Sequence, residues 1–219
     1  GGWVDGLYEG QGRCIYADGD EYEGQWKTGR KNGSGVAKYA SGDVYEGEWK
    51  NGVRHGHGSA TYADGDTYEG EWREGIPNGR GKGVLAHGDE YDGEYRDNKF
   101  HGFGIFTFSN GDIYEGEWKH DMYHGKGRFT CKGNGDNYNG EYKNDKYDGQ
   151  GTLWKANGEY YEGGFKEGKY SGKGKFRAAN GDTYEGEYNE DKYHGHGTFT
   201  FASGGVYAGE YREGVMWGK

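Results

Sequence analysis

Apolar and polar residues alternate in short bursts along the chain, and the bursts recur. In Tyr45-Glu46-Gly47-Glu48-Trp49-Lys50, the residues Tyr45, Gly47 and Trp49 fall on one side of an extended strand, and Glu46, Glu48 and Lys50 on the other. After Asn51-Gly52 comes a second run, His55-Gly56-His57-Gly58-Ser59-Ala60-Thr61-Tyr62, whose alternation places Gly56, Gly58, Ala60 and Tyr62 on a common side. Asp64-Gly65 then leads into the next burst. Asn-Gly and Asp-Gly supply the positive φ that tight hairpin connections need, so each burst predicts a β-hairpin.

The hairpins are copies of one unit. A Tyr-x-Gly triplet begins at Tyr22, Tyr45, Tyr68, Tyr91 and Tyr114 at intervals of 23 residues, at Tyr138 after 24, and at Tyr161, Tyr184 and Tyr207 at intervals of 23 again. Two residues beyond each triplet stands an aromatic: Trp26, Trp49, Trp72, Tyr95, Trp118, Tyr142, Phe165, Tyr188 and Tyr211. Trp3 lies 23 residues before Trp26, so the sequence reads as opening inside a further copy. The period predicts an all-β fold, an elongated array of antiparallel β-hairpins forming a long, twisted, single-layer sheet. It predicts one array over residues 1–219: a truncated copy at 1–21, eight copies over 22–206 and a partial copy at 207–219. At about 4.8 Å per strand, successive copies should lie roughly 9.6 Å apart.

Composition explains how so thin a sheet could be stable. Glycine accounts for 49 residues without the triplet period of collagen, and aromatics for 17%, which argues against a disordered chain. The hydrophobic share is only 31%, so aromatics must do the packing. Glycine in a strand normally weakens it. Here Gly47 lies between two aromatics on one side, with Gly56 and Gly58 expected across from them, so that rings can lie down over bare backbone. The net charge of −10 makes the chain a poor nucleic-acid binder. No run approaches the roughly 18 apolar residues of a transmembrane helix, the opening residues do not read as a signal peptide, and two cysteines suit a reducing cytoplasm.

The motif Tyr-Glu-Gly-Glu-Trp-Lys-Asn-Gly followed by His-Gly-x-Gly, nearly complete at Tyr45–Gly58 and Tyr114–Gly127, resembles the MORN (membrane occupation and recognition nexus) repeats. The resemblance covers the whole chain, and an array with no attached enzyme segment looks like the all-repeat scaffold proteins of protist cytoskeletons. It implies a hairpin array, self-association, a cytoskeletal or membrane-adjacent scaffold role with cytoskeletal partners, and phosphoinositide binding. Copies depart from the motif at Tyr138-Asn139-Gly140, Gly163-Gly164 and Gly205, which predicts unequal strength along the array.

Several residue groups are candidate sites. No nucleophile elbow, P-loop, HExxH or CxxC spacing occurs, and carboxylates displayed in every copy are the opposite of one converging active site, so neither enzyme activity nor a cofactor is expected. The pairs His55/His57 and His194/His196, at i and i+2 in a strand, would face one way and are the metal-ligand candidates. Other copies hold Asn32, Asn78, Asp148 or Ser171 at the first of these positions, which fits a polar, partly solvated site, and no metal is expected. Cys14 and Cys131 read as small core residues of the second strand, too far apart in the array for a disulfide. A basic column, Lys27, Lys50, Arg73, Arg96, Lys119, Lys143 and Lys166, follows the strand-one aromatics; Lys99, Lys146, Lys169 and Lys192 share its turns. An acidic column, Asp20, Asp43, Asp66, Asp89, Asp112, Asp136, Glu159 and Asp182, marks the opposite hairpin edge. Both read as solvated turns, and the basic one alternatively as a lipid-headgroup surface.

One asymmetry is more informative. Two residues after each Gly-x-Gly stands Cys14, Ala37, Ala60 or Gly83 in the N-terminal copies, then Phe106, Phe129, Leu153, Phe176 and Phe199. Phe106, Phe129, Leu153, Phe176 and Phe199, with Phe201, Met216 and Trp217, form a candidate apolar interface, predicting an antiparallel homodimer through the C-terminal copies. The rival expectations are a phosphoinositide-binding module and a regulatory appendage of a larger protein. The one-residue insertion in Cys131–Asp136, and Pro77 in a turn, are candidate bends.

Overall fold

The structure is a computed structural model that describes residues 2–217. Every regular element among the described residues is a strand. The chain forms two compact units, Gly1–Ser109 and Asn110–Lys219. The first holds β1 (Gly2–Val4), β2 (Leu7–Ile15), β3 (Glu21–Lys27), β4 (Arg30–Lys38), β5 (Val44–Lys50), β6 (Val53–Thr61), β7 (Thr67–Arg73), β8 (Ile76–Val84), β9 (Glu90–Arg96) and β10 (Lys99–Thr107). The second holds β11 (Ile113–Lys119), β12 (Met122–Thr130), β13 (Asn137–Lys143), β14 (Lys146–Trp154), β15 (Tyr160–Lys166), β16 (Lys169–Arg177), β17 (Thr183–Asn189), β18 (Lys192–Thr200), β19 (Val206–Arg212) and β20 (Val215–Trp217). Within each unit every strand pairs antiparallel with the next in sequence, as the repeat predicts.

Each copy from β3 to β18 is a seven-residue strand, a two-residue turn and a nine-residue strand, and the outermost strands β1 and β20 have three residues each. Both turn residues have positive φ, 53° at Asn51 and 91° at Gly52, the geometry that matches strand twist. Tyr45 and Trp49 are buried on one face, and Glu46 and Lys50 are exposed on the other. The Tyr45 ring lies across the facing strand: a Cβ placed on Gly58 would stand 2.6 Å from its Cζ. A Cβ on Gly47 would stand 2.5 Å from the Gly58 Cα. The opposed glycine pair therefore lets the strands close under a flat ring, and Tyr45 reaches 0% exposure in a sheet one layer thick. Successive rings meet edge to face, Tyr45–Trp49 at 5.1 Å and Tyr45–Trp72 at 5.0 Å, which favours the aromatic quadrupoles. The indole N–H of Trp49 donates to the Gly35 carbonyl at 3.0 Å, tying the copy to its predecessor.

The first glycine of the Gly-x-Gly triplet has a different role from the expected one. Inside the hairpin the register breaks after Gly47↔Gly58, so that the next pair is Glu48↔His55. Gly56 sits in this bulge with φ 59°, and a Cβ there would meet the Glu48 carboxylate, not an aromatic ring. Two side chains of the first strand serve the break: the Tyr45 hydroxyl donates to the Glu48 carbonyl at 2.9 Å, and the His57 N–H donates to Glu48 Oε1 at 2.9 Å. In the copy that begins at Tyr161 the capping carboxylate is replaced by Gly164.

Neither candidate bend interrupts pairing. Cys131–Asp136 keeps the outer bond of the ordinary turn, from the Cys131 N–H to the Asp136 carbonyl, and takes up its extra residue by closing Gly135 N–H onto Cys131 O. The β12–β13 register runs on unbroken to Thr130↔Asn137. Pro77 lies within β8 opposite Trp72, not in a turn. The equivalent N–H groups of Tyr123 and Tyr170 donate to turn carboxylates, Asp145 and Asp191, so proline there removes no backbone ladder bond.

Candidate interaction faces

The acidic column is not simply solvated. Asp20 Oδ1 accepts from the Ala40 N–H, Asp43 from Ala63, Asp66 from Ala86, Asp89 from Ser109, Asp112 from Lys132, Asp136 from Ala156 and Asp182 from Ala202, at 2.7–2.9 Å. Each aspartate thus links its turn to the turn one copy on. Those N–H donors hold the carboxyls of Asp89, Asp112 and Asp182 below the usual range. Glu159 breaks the column and pairs with Lys155 at 2.7 Å. Sequence reasoning missed the ladder because its partners lie 20 residues apart.

At the basic edge, Lys27, Lys50, Arg73, Arg96, Lys119, Lys143 and Lys166 are exposed and have no ion-pair partner among the described residues. Lys146, Lys169 and Lys192 instead pair with Glu167, Glu190 and Glu213 of the following turn at 2.6–3.4 Å. Exposed pairs of this kind contribute little to stability.

His55 is half-buried and His57 exposed, with the bulge at Gly56 between them, so the period-two rule that placed them side by side does not apply. His194 and His196 repeat the arrangement, and His196 Nε2 lies 3.7 Å from Glu210. No group of three His, Cys, Asp or Glu side chains able to hold a metal converges among the described residues. Both cysteines are free and half-buried. Cys14 faces Tyr22 from β2, whereas Cys131 opens a turn just past β12.

The aromatic face differs between the units. Phe106 is buried, Phe129, Leu153, Phe176 and Phe199 are half-buried, and Phe201, Met216 and Trp217 are 39%, 45% and 54% exposed. A second column, five residues after each strand-one aromatic, completes the face. In the second unit Tyr123, Tyr147, Tyr170 and Tyr193 stack on Tyr114, Tyr138, Tyr161 and Tyr184 at 3.7–3.9 Å. Grooves of about 310 and 240 Å³ lie beside them, lined by Tyr123, Phe129 and Tyr142 and by Tyr170, Phe176 and Tyr188. In the first unit Phe100 stacks on Tyr91 in the same way at 3.9 Å, Pro77 holds the position in the copy before it, and in the two copies before that cations occupy the column. Lys31 Nζ stands 5.0 Å from the Tyr22 ring and 4.7 Å from Trp49, and Arg54 stands 5.2 Å from Tyr45 and 5.1 Å from Trp72. Burial lowers the Lys31 pKa, and Asp20 works against that shift. The column is visible as a fixed offset in sequence, but its mixture of Lys, Arg, Pro, Phe and Tyr hides the shared position.

Where tyrosine replaces tryptophan in the strand-one aromatic, the bond to the preceding copy is lost. The buried hydroxyls of Tyr142, Tyr188 and Tyr211 have no hydrogen-bond partner. Tyr188→Phe is therefore expected to leave stability unchanged or raise it by up to about 1 kcal/mol, because it removes an unsatisfied group. Tyr184→Phe, which loses a 3.0 Å bond to the Glu187 carbonyl, is expected to lower it by about 1 kcal/mol. Paired urea melts measure the difference, and equal effects would contradict the assignment.

The model of the MORN repeat matches at residues 1–21, 22–44, 45–67, 68–82, 91–113, 114–135, 138–160, 161–183, 184–206 and 207–219. Among solved structures, the TCP domain of SAS-4 from Drosophila melanogaster, in complex with a proline-rich motif of Ana2, is 14% identical over 92% of this chain and 90% of its own, with a TM-score of 0.34. The G-box domain of the microcephaly protein CPAP is 10% identical over 93% and 99%, with a TM-score of 0.37. Virginiamycin B lyase from Staphylococcus aureus is 12% identical over 92% and 70%, at 0.17. These likenesses are too slight to bear on function. No curated protein matches the chain.

Proposed function

The chain belongs to the MORN repeat family, and on that premise we propose that it is a cytoplasmic scaffold that self-associates through its C-terminal copies and organises a cytoskeletal or membrane-associated assembly. The MORN repeat is a non-enzymatic module of protein interaction or membrane association. The observation that carries the finer reading is the aromatic face of the second unit. Its strand-one rings cover themselves, yet Phe129, Leu153, Phe176 and Phe199 stay half-exposed in a row beside open grooves. A single-layer sheet needs a second layer over such a row, and a second copy related by a twofold axis supplies one with matching spacing. Cytoskeletal proteins would then engage the remaining copies. Light scattering after size exclusion should give a concentration-independent mass near twice 24.4 kDa. Phe176→Ser with Phe199→Ser should give a soluble monomer; a wild-type monomer, or an unchanged mass in the variant, would refute the dimer.

The unpaired, exposed basic column supports a second reading, contact with phosphoinositide headgroups, at about 1 kcal/mol per well-placed cation. The acidic ladder and net charge of −10 oppose it. Sedimentation with vesicles containing phosphatidylinositol 4,5-bisphosphate is expected to fall steeply between roughly 0.05 and 0.5 M salt as screening sets in. Lys50→Glu, Lys143→Glu and Lys166→Glu together should abolish it. Binding insensitive to both would exclude headgroup attraction along this edge.

A further inference from the structure

The copy that begins at Tyr68 departs from its neighbours on the aromatic face. The family match to it stops at residue 82, one position before Gly83, which stands where other copies carry Ala37, Ala60 or a larger side chain. Pro77 takes the position held by Lys31 and Arg54 in the preceding copies. The result is a hollow of about 340 Å³ within the first unit, lined by Tyr62, Tyr68, Tyr95, Asp64, Asp66 and Pro77 among others.

The chain itself shows what such a hollow accepts. Two copies earlier, Tyr16, Tyr22, Tyr39 and Trp49 surround the Lys31 ammonium at 4.7–5.9 Å, and Asp18 and Asp20 act on its charge. One copy earlier, Tyr39, Tyr45 and Trp72 surround the Arg54 guanidinium at 5.1–5.2 Å. Carried forward along the repeat, the Lys31 cage becomes Tyr62, Tyr68, Leu85 and Tyr95 with Asp64 and Asp66: three of the four rings or their equivalents and both carboxylates persist, and the cation is gone. Asp64 and Asp66 make the same turn bonds as Asp18 and Asp20, and neither has an ion-pair partner among the described residues. Aromatic faces joined by acidic groups attract cations and offer little to anions. Replacement of Lys31 by Pro77 gives the room for a side chain to enter from outside, while the Tyr95 hydroxyl settles over Gly83 and closes the floor of the hollow.

We propose that this hollow is a binding site for an organic cation, the guanidinium or ammonium of an arginine or lysine presented by a partner protein. Bound there, it would continue the row begun by Lys31 and Arg54, one copy apart. Arg54 would oppose it to the degree that Lys31 and Arg54 already oppose one another. The site lies outside the C-terminal face assigned to self-association and does not depend on it.

The test is an NMR titration of the 219-residue chain with n-butylguanidinium, read on the ring resonances of Tyr62, Tyr68 and Tyr95. Saturable shifts with Kd on the order of 1 mM are expected for one caged cation without flanking peptide. Neutral N-butylurea should bind at least about fivefold more weakly, since it keeps shape and loses charge. Pro77→Arg should fill the cage as Arg54 fills its own, abolish the titration and raise the melting temperature. Asp64→Asn keeps the turn, because Asn110 and Asn180 cap the same position in other copies, and should weaken binding severalfold. Equal binding of N-butylurea, or undiminished binding to both variants, would overturn the proposal. Choline binding tighter than n-butylguanidinium would overturn the assignment to a protein side chain in favour of a lipid headgroup.

Discussion

Gly58→Ala is expected to destabilise the first unit by about 3 kcal/mol or more, and Gly47→Ala by as much, near the upper end for overpacking of a tight site. The new methyl group at 58 would overlap the Tyr45 hydroxyl and stand 2.6–2.7 Å from two ring carbons, and at 47 it would strike the backbone of the facing strand at Gly58 Cα and His57 O. Tyr45 cannot swing away freely. Its ring fills the edge-to-face contacts with Trp49 and Trp72, and its hydroxyl serves the bulge at Glu48. Because neighbouring copies stabilise each other in pairs, the loss should be local. Hydrogen exchange should show protection failing from about Tyr45 to Tyr68 while the unit beginning at Asn110 keeps its own. Ser59→Ala, on the exposed face, serves as the control and should stay within about 0.5 kcal/mol. A cost for Gly58→Ala below about 1 kcal/mol would mean that the ring is not held where the glycine pair places it.

Alkaline unfolding should be cooperative and complete between about pH 10 and 12. Burial pushes the phenols of Tyr22, Tyr45, Tyr170 and Tyr184 up to about 12, and those of Tyr68, Tyr114, Tyr138, Tyr142, Tyr161 and Tyr188 higher still. In the unfolded chain these groups ionise near pH 10. Their contribution is therefore whole below pH 10 and declines as pH rises from there through the folded values. Each phenol adds a slope of about 1.4 kcal/mol per pH unit while it is ionised only in the unfolded state. Ten such groups would exhaust a stability of roughly 5–15 kcal/mol within about one pH unit. Tyrosinate absorbance should rise in one step with loss of the β-sheet circular dichroism. A gradual titration centred at pH 10 with the dichroism intact would show that the rings are open to solvent.

The hairpins, their turns and the division into an aromatic and a charged face were legible in sequence, because alternation and Asn-Gly chemistry are local signals. What escaped depends on atoms brought together across copies or on one residue type having two uses. Gly56 and Gly58 look alike in a Gly-x-Gly triplet, yet one makes room beneath a ring and the other takes a left-handed bulge. Glu48 reads as a solvated charge and is a backbone cap; Asp43 reads the same way and joins two turns. The asymmetry in the column from Cys14 to Phe199 could be read directly, but the matching exchange of Lys31 and Arg54 for stacked tyrosines needed coordinates, since the rings involved come from three successive hairpins.

The turn at Cys131–Asp136 admits a residue while the strands on either side keep their register. Turn length and sheet register are thus separable in this design. Point insertions at such corners, where Gly133 and Asn134 sit, change what the molecule displays without changing what holds it together. The lineage of such an array can therefore try out new surface peptides one corner at a time, at roughly 10 Å intervals set by the strand spacing, with folding left as a settled matter.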